Sequence, residues 1–298
     1  MRGPAVLLLL GLVLLATPAM AQDEEDFSAV EIRTTRLTDS IYMLEGSGGN
    51  IGVCIGEDGT FIVDDQFAPL TDKITAAIAR LTDQPVEFVI NTHWHYDHTD
   101  GNENFGEAGA LIVSHENSRR RMETDQFLEL FARPQPAYSA VGLPKITFSR
   151  SMSFYLNGES IDVFHRGAAH TDGDAVIYFR TSNVVHSGDV FVRYGFPYID
   201  QPNGGSIQGM IRTVGYLASI TDDDTTFIPG HGQLSTRDDL LAYGAMLRTI
   251  RDRVQAQINQ GRSLDEVIAS NPTAGYEQRG TGAAEFAKIV YDSLRASE

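Results

Sequence analysis

The six positions from His93 to His98 carry four groups able to bind a cation: His93, His95, Asp97 and His98. They stand within Asn91-Thr92-His93-Trp94-His95-Tyr96-Asp97-His98-Thr99-Asp100-Gly101. Imidazole nitrogen suits zinc, and a carboxylate adds charge and a hard oxygen. The run follows Val86-Glu87-Phe88-Val89-Ile90, an apolar stretch that reads as a buried strand. Continued strand geometry would send His93, His95 and Asp97 to one face and His98 to the other. A tight loop at the strand end lets the group splay, so that His93 and His95 hold one cation while Asp97 and His98 turn towards a second. Taken alone, the run is also compatible with a polar loop bearing scattered histidines. Its weight as a metal centre comes from the wider constellation, which uses five of the eight histidines in the chain.

The order His-x-His-x-Asp-His after a strand resembles the signature of the metallo-β-lactamase fold superfamily, and the likeness runs along nearly the whole chain after residue 21. It implies further ligands in later loops. Gly167-Ala168-Ala169-His170-Thr171-Asp172-Gly173-Asp174 resembles the family's Gly-x-x-His-Thr motif, which would make His170 the third ligand of a first metal. Ser187-Gly188-Asp189 resembles the motif whose aspartate bridges both metals, and His231 in Pro229-Gly230-His231-Gly232 matches the last ligand of the second. The implied sorting is His93, His95 and His170 on metal one, Asp97, His98 and His231 on metal two, with Asp189 between them. Asp64 matches the family's first motif and would orient the histidine loop by hydrogen bonding. By its residues alone it is equally a turn aspartate capping the next helix. Of the remaining histidines, His115 reads as a surface or capping residue, and His165 and His186 as structural groups beside ligand loops.

The cofactor expected from this set is two Zn2+, with iron or manganese as alternatives. Two divalent cations, less the charges of Asp97, Asp189 and a bridging hydroxide, leave the site positive and suited to a developing oxyanion. Metal binding lowers the pKa of water from 15.7 to about 7, so a metal-bound hydroxide is available near neutrality. Asp97 is assigned to orient it and to pass its proton to the leaving atom. Substrate contacts are sought in Val190-Phe191-Val192-Arg193-Tyr194-Gly195-Phe196-Pro197-Tyr198. There Arg193 would hold a carboxylate, with Tyr194 and its aromatic neighbours packing an apolar portion; the alternative is a hydrophobic plug with a surface arginine. Gly204-Gly205-Ser206 offers amide donors at a helix start or simply a turn and cap. The proline-bearing loop at 133–144 is a candidate for the mouth of the site.

The elements that must position these loops follow from periodicity and turn residues. Strand-like runs lie at 30–37, 41–44, 51–55 and 61–63, and an amphipathic helix at 69–81. A strand at 111–113 precedes an arginine-rich helix predicted over 114–131. Asn157-Gly158 predicts a hairpin between 151–156 and 160–164. Strands at 176–179 and 184–186, a helix capped by Ser206, a strand at 225–228 and three further helices complete the chain. Two runs of strand, strand and helix bracket the hairpin. The fold class is α/β, a four-layer αββα sandwich of two packed sheets with helices outside.

Residues 1–21 read as a signal peptide: Met1-Arg2, an apolar run over 5–16, and Ala19-Met20-Ala21 as a cleavage pattern. The run is shorter than the roughly 20 apolar residues of a span, so a periplasmic or secreted protein is expected. The rest, 22–298, is long enough for one metallo-β-lactamase-like domain with C-terminal helices. A net charge of −17 argues against a nucleic-acid partner and reads mostly as a solvated surface; the partner expected is a small-molecule substrate. Cys54 is the only cysteine, so no internal disulfide exists, and its strand-like setting suggests a small buried residue. It lies far from every motif, which excludes the zinc β-lactamases with a cysteine ligand. The ligand set looks like the glyoxalase II type, although the chain lacks basic glutathione-binding character, and export separates it from the cytosolic thioester. The expected activity is hydrolysis of a carbonyl-centred bond: β-lactam, lactone, ester or thioester. The rivals are an iron-dependent sulfur dioxygenase of the same fold and a non-catalytic periplasmic metal-binding domain.

Overall fold

The computed structural model describes residues 26–129, 132–280 and 282–296. The proposed signal peptide lies outside them. Among the described residues no helix is long and apolar enough to cross a membrane.

Strand side chains point alternately to opposite faces, and here each face meets a different apolar layer. The first sheet is ordered β1 (Arg33–Arg36), β2 (Ile41–Glu45), β3 (Ile51–Gly56), β4 (Gly59–Val63), β5 (Val86–Ile90), β6 (Leu111–His115) and β9 (Ile146–Phe148). Between β6 and β9, β7 (Gln126–Leu128) and β8 (Arg133–Gln135) form a separate ribbon. The second sheet runs β10 (Ser151–Leu156), β11 (Glu159–Phe164), β12 (Val176–Phe179), β13 (Val184–His186) and β14 (Thr226–Ile228). On β4, Phe61 and Val63 enter the core shared by the two sheets, while Ile62 packs outwards with Ile74 and Ile78 of α1 (Thr71–Ile78). On β12, Ile177 and Phe179 enter the shared core, and Val176 and Tyr178 face the opposite layer.

That opposite layer holds α5 (Ile207–Ile220), α6 (Arg237–Ile258) and α8 (Ala283–Arg295), with Met210, Leu247 and Val290 among its buried residues. Two short helices of the first half, α2 (Tyr96–Thr99) and α3 (Asn102–Glu107), follow the histidine loop; α4 (Glu116–Met122) follows β6, and α7 (Leu264–Ala269) lies between α6 and α8. The expected order of helix, sheet, sheet, helix is therefore present. Asn157 and Gly158 both adopt positive φ, 55° and 72°, as a tight hairpin turn requires. Ser206 caps α5 by accepting a hydrogen bond from Gly209 N. Cys54 is fully buried in the inter-sheet core.

The long helix expected over 114–131 is corrected. The chain stays extended through His115, whose ring accepts from Asn117 N and caps the shorter α4, and then turns into the β7–β8 ribbon. Tertiary packing decides this: Met122 and Leu128 close over the buried Trp94, a contact that one continuous helix would not make with both. Likewise the helix expected from 69 begins as a 3-10 turn, Ala68–Leu70, before α1.

For the site, what matters is that several strand ends meet. The parallel pairs β4–β5 and β13–β14 each end at the same edge. Asn50 ties the two sheets there: its amide nitrogen donates to Gly230 O (2.7 Å), its side chain to Pro229 O (2.9 Å), and its carbonyl accepts from His186 Nε2 (2.9 Å). Because Phe61 stacks edge-on with Phe154 and Phe179 across the sheets, Phe61→Ala should lower stability by about 3–5 kcal/mol, read from urea unfolding.

Candidate metal centre and cavity

Seven side chains from four loops converge at that edge. Among the described residues, three groups bring ligand atoms within 4.8 Å of one another: His93, His95 and His170; Asp97, His98 and His231; and His93, His98 and Asp189, which link the first two. This is the sorting the motifs implied. Four of the five histidines are aimed by what the other ring nitrogen touches. His98 Nδ1 donates to Asp64 Oδ2 (2.7 Å), His170 Nδ1 to Tyr198 O (2.8 Å) and His95 Nε2 to Asp200 Oδ2 (2.9 Å). Thr92 Oγ1 lies 3.0 Å from His93 Nδ1 and itself donates to Asp64 Oδ2 (2.8 Å). In the neutral form of each of these rings the bonds place the proton on the outer nitrogen and leave the inner lone pair for a cation.

The inner nitrogens then face one another. His95 Nδ1 lies 3.1 Å from His93 Nε2 and 2.9 Å from His170 Nε2, and His98 Nε2 lies 3.1 Å from His231 Nε2. Asp189 Oδ1 is buried and accepts no hydrogen bond, although it lies 3.3 Å from His98 Nε2. Crowded lone pairs and an unsatisfied buried carboxylate oxygen are what a cation site looks like from its donors, so the residues fit bound metal.

The electrostatics divide the cluster. Burial, reinforced by the neighbouring imidazoles, pushes His93 well below its ordinary pKa, and burial takes His170 down to about 4 against the pull of Asp189. For His98, burial is outweighed by Asp97, Asp189 and Asp64, which hold it well above the ordinary histidine value. His231 is raised in the same way by Asp189 and Asp97. In turn, burial would raise the two carboxyls, but His98 and His231 hold both Asp97 and Asp189 below the usual carboxylate range.

Local sequence explains how these groups approach so closely. A Cβ on Gly49 would fall 2.3 Å from the His98 ring, and one on Gly230 would fall 1.9 Å from Asp189 Oδ1, so both positions need glycine. Asp64 itself takes φ 63°, a left-handed conformation rare outside glycine, and is fully buried. It accepts from Thr92 N (2.7 Å) as well as from His98, so it orients the loop rather than capping a helix. Trp94, between two ligand histidines, is fully buried and anchors the loop.

The cluster floors a cavity of about 410 Å³ walled by Phe67, Tyr96, Tyr194, Phe196, Tyr198 and Phe286. Tyr194 thus stands where substrate contacts were sought. Arg193 does not: its guanidinium pairs with Asp239 at the start of α6 (2.9 Å), and it is not among the lining residues. The chain bends through these residues, and a carboxylate lies within reach of Arg193 there. The Gly204-Gly205-Ser206 amides are also committed, to Gln201 O, Asp200 O and Ala169 O, which leaves a turn and cap. Described residues of the 133–144 loop buttress the histidine loop from behind, Tyr138 Oη meeting Thr99 Oγ1 at 2.8 Å, and none lines the cavity. His165 and His186 bond to the backbone oxygens of Asp174 and Asn50 and stay outside the cluster. His115 is buried, as a cap, and not on the surface.

Asp200 is the residue that the sequence reading missed. It is fully buried, accepts from His95, Asn203 Nδ2 (2.9 Å) and Tyr198 Oη (3.2 Å), and stays ionised because these bonds outweigh its burial. Its only signal in the chain is an acid ending the apolar run Phe196-Pro197-Tyr198-Ile199. Asp200→Asn should weaken zinc affinity about 10–100-fold, read by competition with a chromogenic chelator, with the circular dichroism unchanged. A second outcome follows from the divided electrostatics. Metal loading at pH 7 should release protons from the His98 and His231 side, and affinity there should fall as the pH drops below neutrality. His93 and His170 have no such proton to lose, so affinity on their side should fall less over the same range. Calorimetry in buffers of different ionisation enthalpy reads both.

Comparison with known proteins agrees with this geometry. The sequence profile of the metallo-beta-lactamase superfamily matches residues 44–241. Among solved structures, DIM-1 metallo-beta-lactamase is similar with a TM-score of 0.59 at 20% identity, over 74% of this chain and 99% of that one. A metallo-beta-lactamase from Pontibacter korlensis gives 0.60 at 17%, over 73% and 99%. The inverting sec-alkylsulfatase Pisa1 from Pseudomonas sp. gives 0.67 at 15%, over 88% of this chain but only 50% of the sulfatase. With the ligand motifs, the sandwich and a profile match over most of its length, the chain belongs to the metallo-beta-lactamase superfamily.

Proposed function

We propose that the protein is a dinuclear zinc hydrolase that cleaves a carbonyl-centred bond in a small molecule: an ester, lactone, thioester or β-lactam. The observation that carries this reading is the junction of two ligand sets through one buried carboxylate, Asp189, at the floor of an open cavity. His93, His95 and His170 would hold one ion, Asp97, His98 and His231 the other, with Asp189 shared. A cation pair there supplies Lewis acidity and a water of lowered pKa. The chain's own residues do the rest. Asp64, Asp200, Thr92 and the Tyr198 carbonyl hold four rings in orientation, which keeps the donor set rigid. Asp97, ionised and facing the cavity, orients the attacking water and passes its proton to the departing oxygen, sulfur or nitrogen. The aromatic walls exclude bulk water from the substrate. Export to the periplasm or medium, read from residues 1–21, belongs to the same proposal.

Protein purified without added metal should contain about two equivalents of zinc, and turnover of an ester, lactone, thioester or cephalosporin should be lost on chelation and restored by zinc. Asp97→Asn should lower kcat at least about 100-fold. One equivalent of iron with oxygen uptake would instead establish dioxygenase chemistry. Zinc-loaded protein inert to the whole panel would favour a binding role.

A further inference from the structure

The walls of the cavity say what kind of substrate enters. Away from the ligand cluster the lining is aromatic, completed by Ile289 and by one carboxylate, Glu285. Among the described residues no lysine or arginine lines it. The cations on neighbouring elements already have partners: Arg193 with Asp239, Arg279 with Gly195 O, Arg133 over the ring of the wall residue Tyr96 at 3.8 Å, and Lys288 with Asp292. Glu285 stands where the cavity opens into a second groove of about 210 Å³, which also carries Glu129 and the ion pair of Lys288 with Asp292, so its carboxylates outnumber its one cation. Neither carboxylate has an ion pair among the described residues.

Glu285, Phe286 and Ile289 all come from α8, which lies beyond the part of the chain that matches the family profile. Phe286 stacks on Phe196 at 5.3 Å, so this helix and the loop after Asp189 build the wall together. A substrate anion extending along this wall would lose its hydration against aromatic rings, meet no cation that lacks a partner of its own, and face a like charge. An uncharged aryl or alkyl group loses little hydration and gains apolar contact.

We infer that the cavity selects substrates whose portion remote from the scissile bond is uncharged and aromatic or otherwise apolar, and rejects those bearing a carboxylate or sulfate there, with Glu285 of α8 as the discriminating residue. This rests on the hydrolase reading for the term substrate, but binding alone tests it. The probes are 2-acetylnaphthalene and 6-acetyl-2-naphthoate, unreactive ketones that differ by one carboxylate, titrated by fluorescence against the metal-loaded full chain. The neutral ketone should bind about tenfold more tightly, and Glu285→Lys should narrow the ratio at least about fivefold. Glu285→Gln, which keeps the side-chain shape at this exposed helix position, should narrow it less. Equal or tighter binding of the naphthoate, no detectable binding of either ketone, or a ratio unmoved in both variants would overturn the inference. A clear preference without turnover of any ester would keep the selectivity and remove the hydrolase.

Discussion

The structure depends on holding unshared nitrogen lone pairs against one another in a buried place. Imidazole nitrogens that approach to 2.9 Å with no proton between them repel, and nothing in the apolar surroundings relieves that repulsion. What keeps the rings in place is the outer ring of hydrogen bonds. Asp64 serves His98 and, through Thr92, His93; Asp200 serves His95; the Tyr198 carbonyl serves His170. Each of these acceptors is buried and most are bonded more than once, so a ring cannot swing away without stranding a second polar group.

The sandwich exists to bring those acceptors and their histidines to one edge. Its two sheets are glued by a core of Phe61, Phe154, Phe179 and aliphatic neighbours, and at the site edge Asn50 stitches the loop after β2 to the loop after β14. Close approach demands missing side chains, which is why Gly49 and Gly230 sit beside His98 and Asp189. The left-handed backbone of Asp64 is a local cost accepted at the same point, and the three hydrogen bonds that its carboxylate accepts offset it.

Charge is distributed unevenly around the cluster. One side gathers imidazoles that burial keeps neutral, and the other sets imidazoles against Asp97 and Asp189 and so favours protons or cations. The cavity above has a different character, aromatic and without a cation of its own, and its far wall comes from the last helix. The histidine and aspartate donors and the far wall of the cavity thus come from different stretches of the chain.

The sequence by itself determined the donor types and their spacing, the strand that delivers the first four, the Asn157-Gly158 hairpin and the sandwich class, because each is a local pattern of residue type and period. The later ligand loops were legible only through their likeness to family motifs. Three things waited for the tertiary structure. Arg193 turns to Asp239 because a carboxylate 46 residues later in the chain lies nearer to it than the cavity does. Asp200 reaches His95 across 105 residues, a partnership that no local pattern encodes. The segment after His115 abandons its helix to close on Trp94, since burying a tryptophan outweighs the small free-energy differences of helix propensity. Periodicity reports what a residue prefers beside its neighbours, whereas a charge or a ring settles on whichever partner the folded chain brings within a few ångströms.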